Sequence, residues 1–335
     1  MLKPELVCPA GGLPALKAAV DNGADTVYMG LKDAATNARN FSGLNFDLST
    51  AREGIRYAHG KGRKVLMAIN TFAQAGEEPR WHKAIDTAAE LGVDAVILAD
   101  MGLLDYATRT HPQLRRHLSV QGSATNYEAI NLCRDLFGIQ RAVLPRVLTL
   151  PQVEHVIAHT DVEIEVFGFG SLCVMVEGRC LLSSYATGES PNTAGVCSPA
   201  KAVRWVETPS GTEARLSGIL IDQYKADEPA GYPTLCKGRF EVNHETYYAL
   251  EEPTSLNIVS ALPDLLRIGV AAIKVEGRQR SPAYVAEVTR TLRAALDAAC
   301  ADPARFAPKP AWDAALGKVS EGQHVTLGAY LRPWK

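Results

Sequence analysis

The chain has 335 residues, which is long for one ordinary domain but normal for a single α/β barrel with an insertion. Apolar residues make up 47% of the sequence, enough to bury a complete core. The formal net charge of −2 lacks the basic surplus that nucleic-acid-binding proteins usually carry, so composition argues against nucleic acid as a partner.

The N-terminal segment, residues 1–6, has no basic stretch followed by an apolar run, so we expect no signal peptide. No window of the sequence reaches the ~18 apolar residues of a membrane span, so we expect a cytoplasmic protein without one. In a reducing compartment the seven cysteines are not expected to form a disulfide framework. Metal binding, catalysis or simple burial remain as explanations for them.

Short runs rich in Val, Ile and Leu predict eight strands that are covered on both faces. These runs are Glu5–Pro9, Thr26–Gly30, Lys64–Asn70, Ala95–Asp100, His117–Gln121, Arg141–Arg146, Glu163–Gly168 and Ala271–Glu276. Amphipathic helical patterns that end at a nearby glycine lie between them at Leu13–Asn22, Thr50–His59, Pro79–Leu91 and Asn126–Leu136. Ser281 and Pro282 open a last long helix as N-cap and first residue.

Strands that alternate with helices favour a TIM-like (β/α)8 barrel. An open doubly wound sheet is not favoured, because no Gly-x-Gly-x-x-Gly follows the first strand. The alternation breaks between residues 171 and 254, which predicts an irregular insertion after strand seven, held mainly by metal. The barrel would cover residues 1–300 around this insertion, and residues 301–335 would form a C-terminal strap.

Four cysteines lie in the predicted insertion with the spacing Cys-x6-Cys-x16-Cys-x38-Cys: Cys173, Cys180, Cys197 and Cys236. This spacing matches neither the paired Cys-x2-Cys of structural zinc sites nor the tight run of small ferredoxins. The group favours a metal site over buried free thiols, but thiolates suit zinc and iron–sulfur clusters equally. Cys8, Cys133 and Cys300 fall in predicted strands or helices, where we expect simple burial.

Several motifs resemble the collagenase-like peptidase family, and together they cover essentially the whole chain. They are residues 165–173 with Gly178-Arg179-Cys180, residues 274–278 with residues 281–284, the opening residues 8–12, and residues 37–41. Carried over position by position, the resemblance implies that Cys173, Cys180, Cys197 and Cys236 bind a [4Fe–4S] cluster. Peptidase chemistry itself is disfavoured, because the sequence has neither Gly-x-Ser-x-Gly nor His-Glu-x-x-His.

Within that family, the cysteine spacing and the Gly-Ala-Tyr…Arg-Pro-Trp ending are most similar to members that act in ubiquinone biosynthesis. The similarity implies a subunit of an oxygen-independent, anaerobic hydroxylase of the ubiquinone ring precursor, with prephenate as oxygen donor. It also implies a heterodimer with a homologous UbiV-like protein and a sterol-carrier-like UbiT protein that handles the lipid intermediate. Hydroxylation of RNA bases on the same scaffold and a non-catalytic scaffold subunit remain alternatives.

In barrels of this type, functional residues gather at the C-terminal ends of the strands. An arginine fork matches a carboxylate such as those of prephenate. The predicted substrate-binding residues are Arg39, Asn40, Asn70, Gln121, Arg146 and Arg278. The predicted catalytic residues, which would orient cations or transfer protons, are Glu165, Lys274 and Glu276. The alternative is an internal salt-bridge network without a ligand, since buried charges need partners in either case.

Overall fold

The computed structural model describes residues 3–33, 36, 44–192, 195–322 and 324–332. Its strands are β1 (Glu5–Pro9), β2 (Thr26–Met29), β3 (Lys64–Ile69), β4 (Ala95–Leu98), β5 (Arg115–Leu118), β6 (Arg141–Val143), β7 (Glu163–Ser171), β8 (Val203–Thr208), β9 (Gly211–Leu216), β10 (Ile219–Tyr224), β11 (Phe240–Val242), β12 (Glu245–Tyr247), β13 (Ser255–Asn257), β14 (Ala272–Val275) and β15 (Val325–Thr326). Its helices are α1 (Leu13–Asp21), α2 (Leu48–Gly60), α3 (Glu78–Glu90), α4 (Met101–Thr110), α5 (Tyr127–Phe137), α6 (Leu150–Ala158), α7 (Leu182–Thr187), α8 (Leu262–Ile268), α9 (Pro282–Ala301) and α10 (Pro310–Gly317). None of these described helices is long and apolar enough to cross a membrane.

Eight parallel strands close into a barrel. β1 to β7 follow one another around the sheet in chain order, and β14 pairs with both β7 and β1. Ala272 on β14 is in register with Glu165 of β7 and with Glu5 of β1, which closes the ring. Helices follow the strands along the chain, and the longest, α9, packs between α1 and α10. The predicted TIM-like (β/α)8 barrel is confirmed.

Side-chain caps explain where several helices begin. Asp47, Asn126 and Ser281 each accept a hydrogen bond from the backbone N–H three residues ahead, at the starts of α2, α5 and α9. Asp100 was predicted to end strand four but instead caps α4, because its carboxylate accepts two N–H groups of the first turn. The strand therefore ends earlier, at Leu98.

The fifth strand begins and ends earlier than the predicted range 117–121. β5 ends at Leu118, and Val120–Gly122 form a 3₁₀ turn that is capped by Ser119. The hydroxyl of Ser119 accepts the N–H of Gln121, which takes the backbone out of the extended conformation. Gln121 therefore lies on a turn at the end of the barrel rather than in a strand.

β7 is longer than predicted and leads directly into the inserted segment. Its first part pairs with β6 and β14, and its last residues, 169–171, pair antiparallel with β13. The close packing of β14 requires glycine, since a Cβ on Gly168 would lie 2.4 Å from Cγ2 of Ile273. β7 ends at Ser171, two residues before Cys173.

The inserted segment differs from the irregular, metal-held chain that the sequence predicted. β8, β9 and β10 form a three-stranded antiparallel sheet, and β11 and β12 form a hairpin. Val203, Leu216 and Ile221 make a small apolar core of their own. These strands are partly exposed and mix polar with apolar residues, so they lack the apolar runs by which the barrel strands were identified. The segment thus has stabilising contacts that need no metal.

The C-terminal tail lies against the barrel near the end of β7. α10 packs on α9, and β15 adds in parallel to β13. Tyr330 is buried, and its hydroxyl donates a 2.9 Å hydrogen bond to the carbonyl oxygen of Phe167 in β7. The tail therefore reaches the same end of the barrel as the inserted segment.

Candidate active site

A cavity of about 520 Å³ lies at the C-terminal ends of the barrel strands, between the barrel and the inserted segment. Its volume is in the range of small-molecule sites. Tyr28, Ala68 and Phe167 on the barrel strands contribute to one side of its lining, and Val196 and Tyr232 of the inserted segment contribute to the other. The barrel supplies a rigid floor, and the insertion supplies the opposite wall.

The cavity brings together most of the residues that the sequence singled out. The predicted residues that line it are Asn70, Gln121, Arg146, Cys173, Cys180, Cys197, Cys236, Lys274, Glu276 and Arg278. Glu165 is not among its described lining residues and lies within the barrel. Arg39 and Asn40, together with the motif at residues 37–41, fall outside the described residues.

Arg146 is buried and held by protein oxygens. Its Nε donates to Glu177 Oε1 at 2.7 Å, and its Nη1 donates to the carbonyl oxygen of Ser171 at 2.5 Å and to Glu276 Oε2. Its guanidinium also stacks 4.2 Å from the centre of the Phe167 ring. Burial opposes the charged form, but the carboxylates of Glu276 and Glu177 outweigh it and raise the pKa of Arg146. Two of its three nitrogens are therefore engaged in building the cavity wall.

Glu165 and Lys274 form an ion pair inside the barrel. Lys274 Nζ donates to Glu165 Oε1 at 2.6 Å, and the other oxygen of Glu165 lies 3.3 Å from Arg141 Nη1. Arg141 also pairs with Glu5 and Glu163 at the starts of their strands. Charged contacts therefore run from the N-terminal end of the barrel to the cavity floor. For Glu165, this geometry matches the alternative of an internal salt-bridge network.

Two cations lie over one aromatic ring on the cavity floor. Lys274 Nζ is 4.1 Å and the Arg278 guanidinium 5.9 Å from the centre of the Tyr28 ring. Burial lowers the pKa of Lys274, and the carboxylate of Glu165 opposes part of that change. Arg278 is also buried, with 4% of its surface exposed. This part of the floor has the chemistry to bind a carboxylate.

The amide residues occupy the opposite side of the floor. Asn70 Nδ2 donates to Ser119 Oγ at 3.4 Å. The side-chain oxygen of Gln121 is buried in the cavity lining and has no hydrogen-bond partner within the described part of the chain. Buried polar atoms normally have a partner, so a donor on a ligand or a water would complete this site.

The four cysteines line one wall of the cavity as free, partly exposed thiols. A charge on Cys236 would act on Cys173, and a charge on Cys197 would act on both Cys180 and Cys236. Burial is the main cause that raises the pKa of Cys173, Cys180 and Cys236. Thiols in such surroundings become thiolates when a metal supplies the compensating charge.

The arrangement bears on which metal group these thiols could hold. No group of three or more His, Cys, Asp or Glu side chains in the described ranges is close enough to hold a single metal ion. A structural zinc ion draws its ligand sulfurs to about 2.3 Å from one centre. The core of an iron–sulfur cluster is larger, so its cysteine ligands stay farther apart. Four cysteine sulfurs are a donor set that both zinc and iron–sulfur clusters accept.

Comparison with known proteins identifies the family. Residues 11–332 match the family model described as Peptidase family U32. The chain belongs to peptidase family U32. This confirms the resemblance to collagenase-like peptidases at the level of the family.

Relatives of this U32 protein include proteins named for RNA hydroxylation. The chain is 29% identical to tRNA hydroxylation protein P1 of Bacillus subtilis, covering 97% of the chain and 70% of that relative. It is 30% identical to tRNA hydroxylation protein P of Escherichia coli, covering 90% of the chain and 69% of the relative. It is also 30% identical to the 23S rRNA 5-hydroxycytidine C2501 synthase of Escherichia coli, covering 88% of the chain but 39% of the relative.

Despite the family's name, the described residues that line the cavity of this U32 protein do not include a complete hydrolytic triad. No histidine occurs among the described residues that line it, so its serines and cysteines have no imidazole base there. The rings of His155 and His159 lie with their centres 4.2 Å apart and their planes tilted by 40°, and both contact Tyr127. These ring contacts give both histidines a packing role.

Two charged residues of the cavity were missed by sequence reasoning. Glu177 lies between two of the cysteines and accepts a hydrogen bond from Arg146. Lys237 directly follows Cys236 and is 4% exposed. Both line the cavity. Their positions in the sequence, next to predicted metal ligands, could have identified them as cavity residues. A charged residue at such a position is buried only if it has a partner.

The first cysteine loop is docked on the barrel through the turn that carries Gln121. Ser123 donates to the carbonyl oxygen of Glu177 at 2.6 Å. Gly178 has φ +88°, and a Cβ there would lie 1.9 Å from the carbonyl oxygen of Gln121. Only glycine permits this approach, so the loop that holds Cys173 and Cys180 has a defined position over the barrel.

Proposed function

We propose that this U32 protein is a UbiU-like subunit of an oxygen-independent hydroxylase that holds a [4Fe–4S] cluster. The observation that carries the proposal is that four free thiols and several buried cations face one cavity of about 520 Å³. The names of the relatives, which refer to hydroxylation of RNA, support hydroxylation as the reaction class.

The proposed cluster ligands are Cys173, Cys180, Cys197 and Cys236. When bound, a cluster of this kind supplies one-electron chemistry beside the cavity. The chain's own residues hold the sulfurs on one wall, and the buried barrel floor limits access of water from the opposite side. Gly178 and Ser123 keep the first two cysteines in place by fixing their loop on the barrel.

The proposed oxygen donor is prephenate, a small molecule with two carboxylates. Lys274 and Arg278 supply positive charge on the cavity floor, and both lie over Tyr28. Asn70 and Gln121 add amide groups for polar contacts. Arg146 contributes positive charge, but two of its nitrogens already donate hydrogen bonds to protein oxygens. Its proposed role in the site is therefore mainly structural.

The proposed acceptor is the ubiquinone ring precursor, with a homologous UbiV-like partner in a heterodimer and a UbiT-like carrier for the lipid intermediate. The net charge of −2 supports an acceptor other than RNA, because RNA-binding surfaces carry basic residues. Arg115 and Arg116 are one of the few pairs of adjacent basic residues in the sequence. Arg116 is buried, and its guanidinium donates to the backbone carbonyl oxygens of Leu114 and Phe137.

The second candidate is hydroxylation of RNA bases. The observation that favours it is that both of the first relatives above are named for tRNA hydroxylation and align with 90% or more of this chain. The chain spans about 70% of those relatives, so part of their length has no counterpart in the aligned region.

Anaerobic expression with the UbiV-like partner distinguishes these candidates. Cells that lack their own ubiquinone hydroxylation proteins should regain hydroxylated quinone, measured by mass spectrometry of lipid extracts. A rise in hydroxylated uridine or cytidine in digested RNA, without quinone, would instead assign the RNA reaction. If quinone is restored equally by a chain with Lys274→Met and Arg278→Ala, this subunit is a scaffold for its partner.

Prephenate binding is tested separately by anaerobic calorimetry. Arg278→Ala should weaken binding at least tenfold, because the floor loses a buried cation. Arg267→Ala, at an exposed ion pair on α8, is the matched control and should bind as the unmodified protein does. Equal affinity of both variants would remove Arg278 from the site.

A further inference from the structure

Lys237 places a buried positive charge beside the cysteine wall. Its Nζ donates to Ser171 Oγ at 2.8 Å and lies 3.5 Å from the carbonyl oxygen of Thr254 and 3.5 Å from Glu321 Oε2. Three oxygen acceptors around one nitrogen are the surroundings of an ammonium group, which has three donors and no acceptor. Lys237 is therefore a fixed cation, one residue beyond Cys236.

Ser171 accepts hydrogen bonds from both Lys237 and Arg146. Its hydroxyl accepts from Lys237, and its carbonyl oxygen accepts from Arg146. Ser171 is the last residue of β7 and lies two residues before Cys173. The two cations thus have set positions near Cys173 and Cys236. Among the described residues, Arg146 has two carboxylate partners at close range, whereas Lys237 has one, at the longer distance of 3.5 Å.

The carboxylate that faces Lys237 comes from the C-terminal tail. Glu321 lies between α10 and β15, and its backbone N–H donates to Ser255 Oγ on β13 at 2.8 Å. Its side chain is 19% exposed, whereas that of Lys237 is 3% exposed. The tail therefore supplies the counter-charge of a cation that is more buried than the carboxylate itself.

We propose that Lys237 and Glu321 form a charge pair that sets the reduction potential of the cluster held by the four cysteines. The inference rests on the proposed cluster and assigns Lys237 as a positioning residue rather than a catalytic one. A nearby cation stabilises the more negative, reduced cluster and raises its potential, and a nearby carboxylate does the opposite. Through Glu321, the C-terminal tail becomes part of the electrostatic surroundings of the cluster.

The test is a potentiometric titration of anaerobically purified protein, with the reduced cluster followed by electron paramagnetic resonance. Lys237→Gln should shift the midpoint potential to more negative values, because it removes the cation. Glu321→Gln should shift it to more positive values, because Lys237 loses its counter-charge. Lys237→Arg keeps the charge and should stay near the unmodified value. Lys201→Gln, at an exposed ion pair in the same segment, is the control and should not shift the potential.

The outcomes separate this inference from the proposed function. Absence of iron and sulfide from the unmodified protein would remove the cluster and with it the proposed function. A cluster whose potential is unchanged in both Lys237→Gln and Glu321→Gln, or shifts in the same direction in both, overturns the charge pair alone. If Lys237→Gln fails to retain the cluster, Glu321→Gln decides: a positive shift supports the pair, and an unchanged potential overturns it.

Discussion

Lys274 on β14 donates a 2.6 Å hydrogen bond to Glu165 on β7, at the seam where the last strand closes the barrel. Glu165 has no exposed surface, and Lys274 is 6% exposed. Breaking a buried pair by removing one partner leaves an uncompensated charge, whereas replacing both with apolar residues of similar size costs much less. The stability of the barrel therefore depends on keeping both charges, that of Glu165 inside the barrel and that of Lys274 on the cavity floor.

We expect Glu165→Leu or Lys274→Met alone to lower the free energy of unfolding by about 3–5 kcal/mol. The double variant Glu165→Leu with Lys274→Met should lose less than the sum of the single variants, as measured by urea unfolding followed by tryptophan fluorescence. Arg267→Ala, at the exposed pair with Glu154, should have no measurable effect. Additive losses in the double variant would show that the two side chains are not coupled.

Gly178→Ala should displace the first cysteine loop. The new Cβ would meet the carbonyl oxygen of Gln121 at 1.9 Å and would also force a non-glycine residue into a positive φ. Gly188→Ala is a matched control, because Gly188 has φ +73° with no atom within 4 Å of the new Cβ. The control should cost about 1–2 kcal/mol of stability, and Gly178→Ala should cost more and also release bound iron. Equal effects would remove the docking role of Gly178.

Tyr248→Phe should loosen the inserted segment without unfolding the barrel. Tyr248 donates to Asp222 Oδ2 at 2.8 Å, and the carboxylate of Asp222 is fully buried and also paired with Arg239. Loss of a hydrogen bond to a buried charge costs about 1.5–3 kcal/mol. Hydrogen exchange should accelerate in β8 to β12 and stay unchanged in β1 to β6. Tyr247→Phe, at an exposed neighbour, should leave both regions as they are.

Each of the four cavity cysteines should be needed for the cluster. Anaerobically purified protein should carry about four irons and four sulfides per chain, and serine at Cys173, Cys180, Cys197 or Cys236 should reduce both. Cys300→Ser should retain them, because Cys300 lies on α9 and outside the cavity lining. Full iron content in any of the four variants would remove that cysteine from the ligand set.

The buried thiol of Cys8 should make the free energy of unfolding fall as the pH becomes alkaline. Burial raises the pKa of its thiol to about 12, whereas a thiol in the unfolded chain titrates near about 8.5. The folded state keeps a proton that the unfolded state loses, so this contribution is complete below pH ~8.5 and is lost as pH rises towards 12. The unfolding free energy of the unmodified protein minus that of Cys8→Ala should fall by about 1.4 kcal/mol per pH unit above pH ~9. A constant difference would contradict this sign.

The cavity residues could be anticipated because the barrel topology was predictable. Apolar runs such as 64–70 and 271–276 identified strands, and parallel strands in a closed barrel bring their C-terminal ends together. Asn70 and Lys274 were therefore placed at one mouth without knowledge of any contact. Gln121 was assigned to the right region for a partly wrong reason, since it lies on a turn after β5.

The partners of these residues could not be anticipated in the same way. Arg146 contacts Glu276, which is 130 positions away, and Glu177, which reaches it only because the inserted segment docks on the barrel. The antiparallel sheet β8 to β10 also escaped prediction, since its strands mix polar with apolar residues and its core is small. Pairing across such separations depends on how the chain closes on itself, and local periodicity carries no information about it.

Residue types and the spacing of apolar residues were enough to predict a barrel, a group of four thiols and a set of charged residues at the C-terminal ends of the strands. These features follow from local sequence pattern and from one general rule of barrel topology. Tertiary structure decided that Glu165 belongs to an internal ion-pair network and that Arg146 builds the wall. It also decided that Lys237 of the insertion meets Glu321 of the tail. The physical reason is that the free energy of a buried charge depends on its neighbours in space, which are contributed by distant parts of the chain.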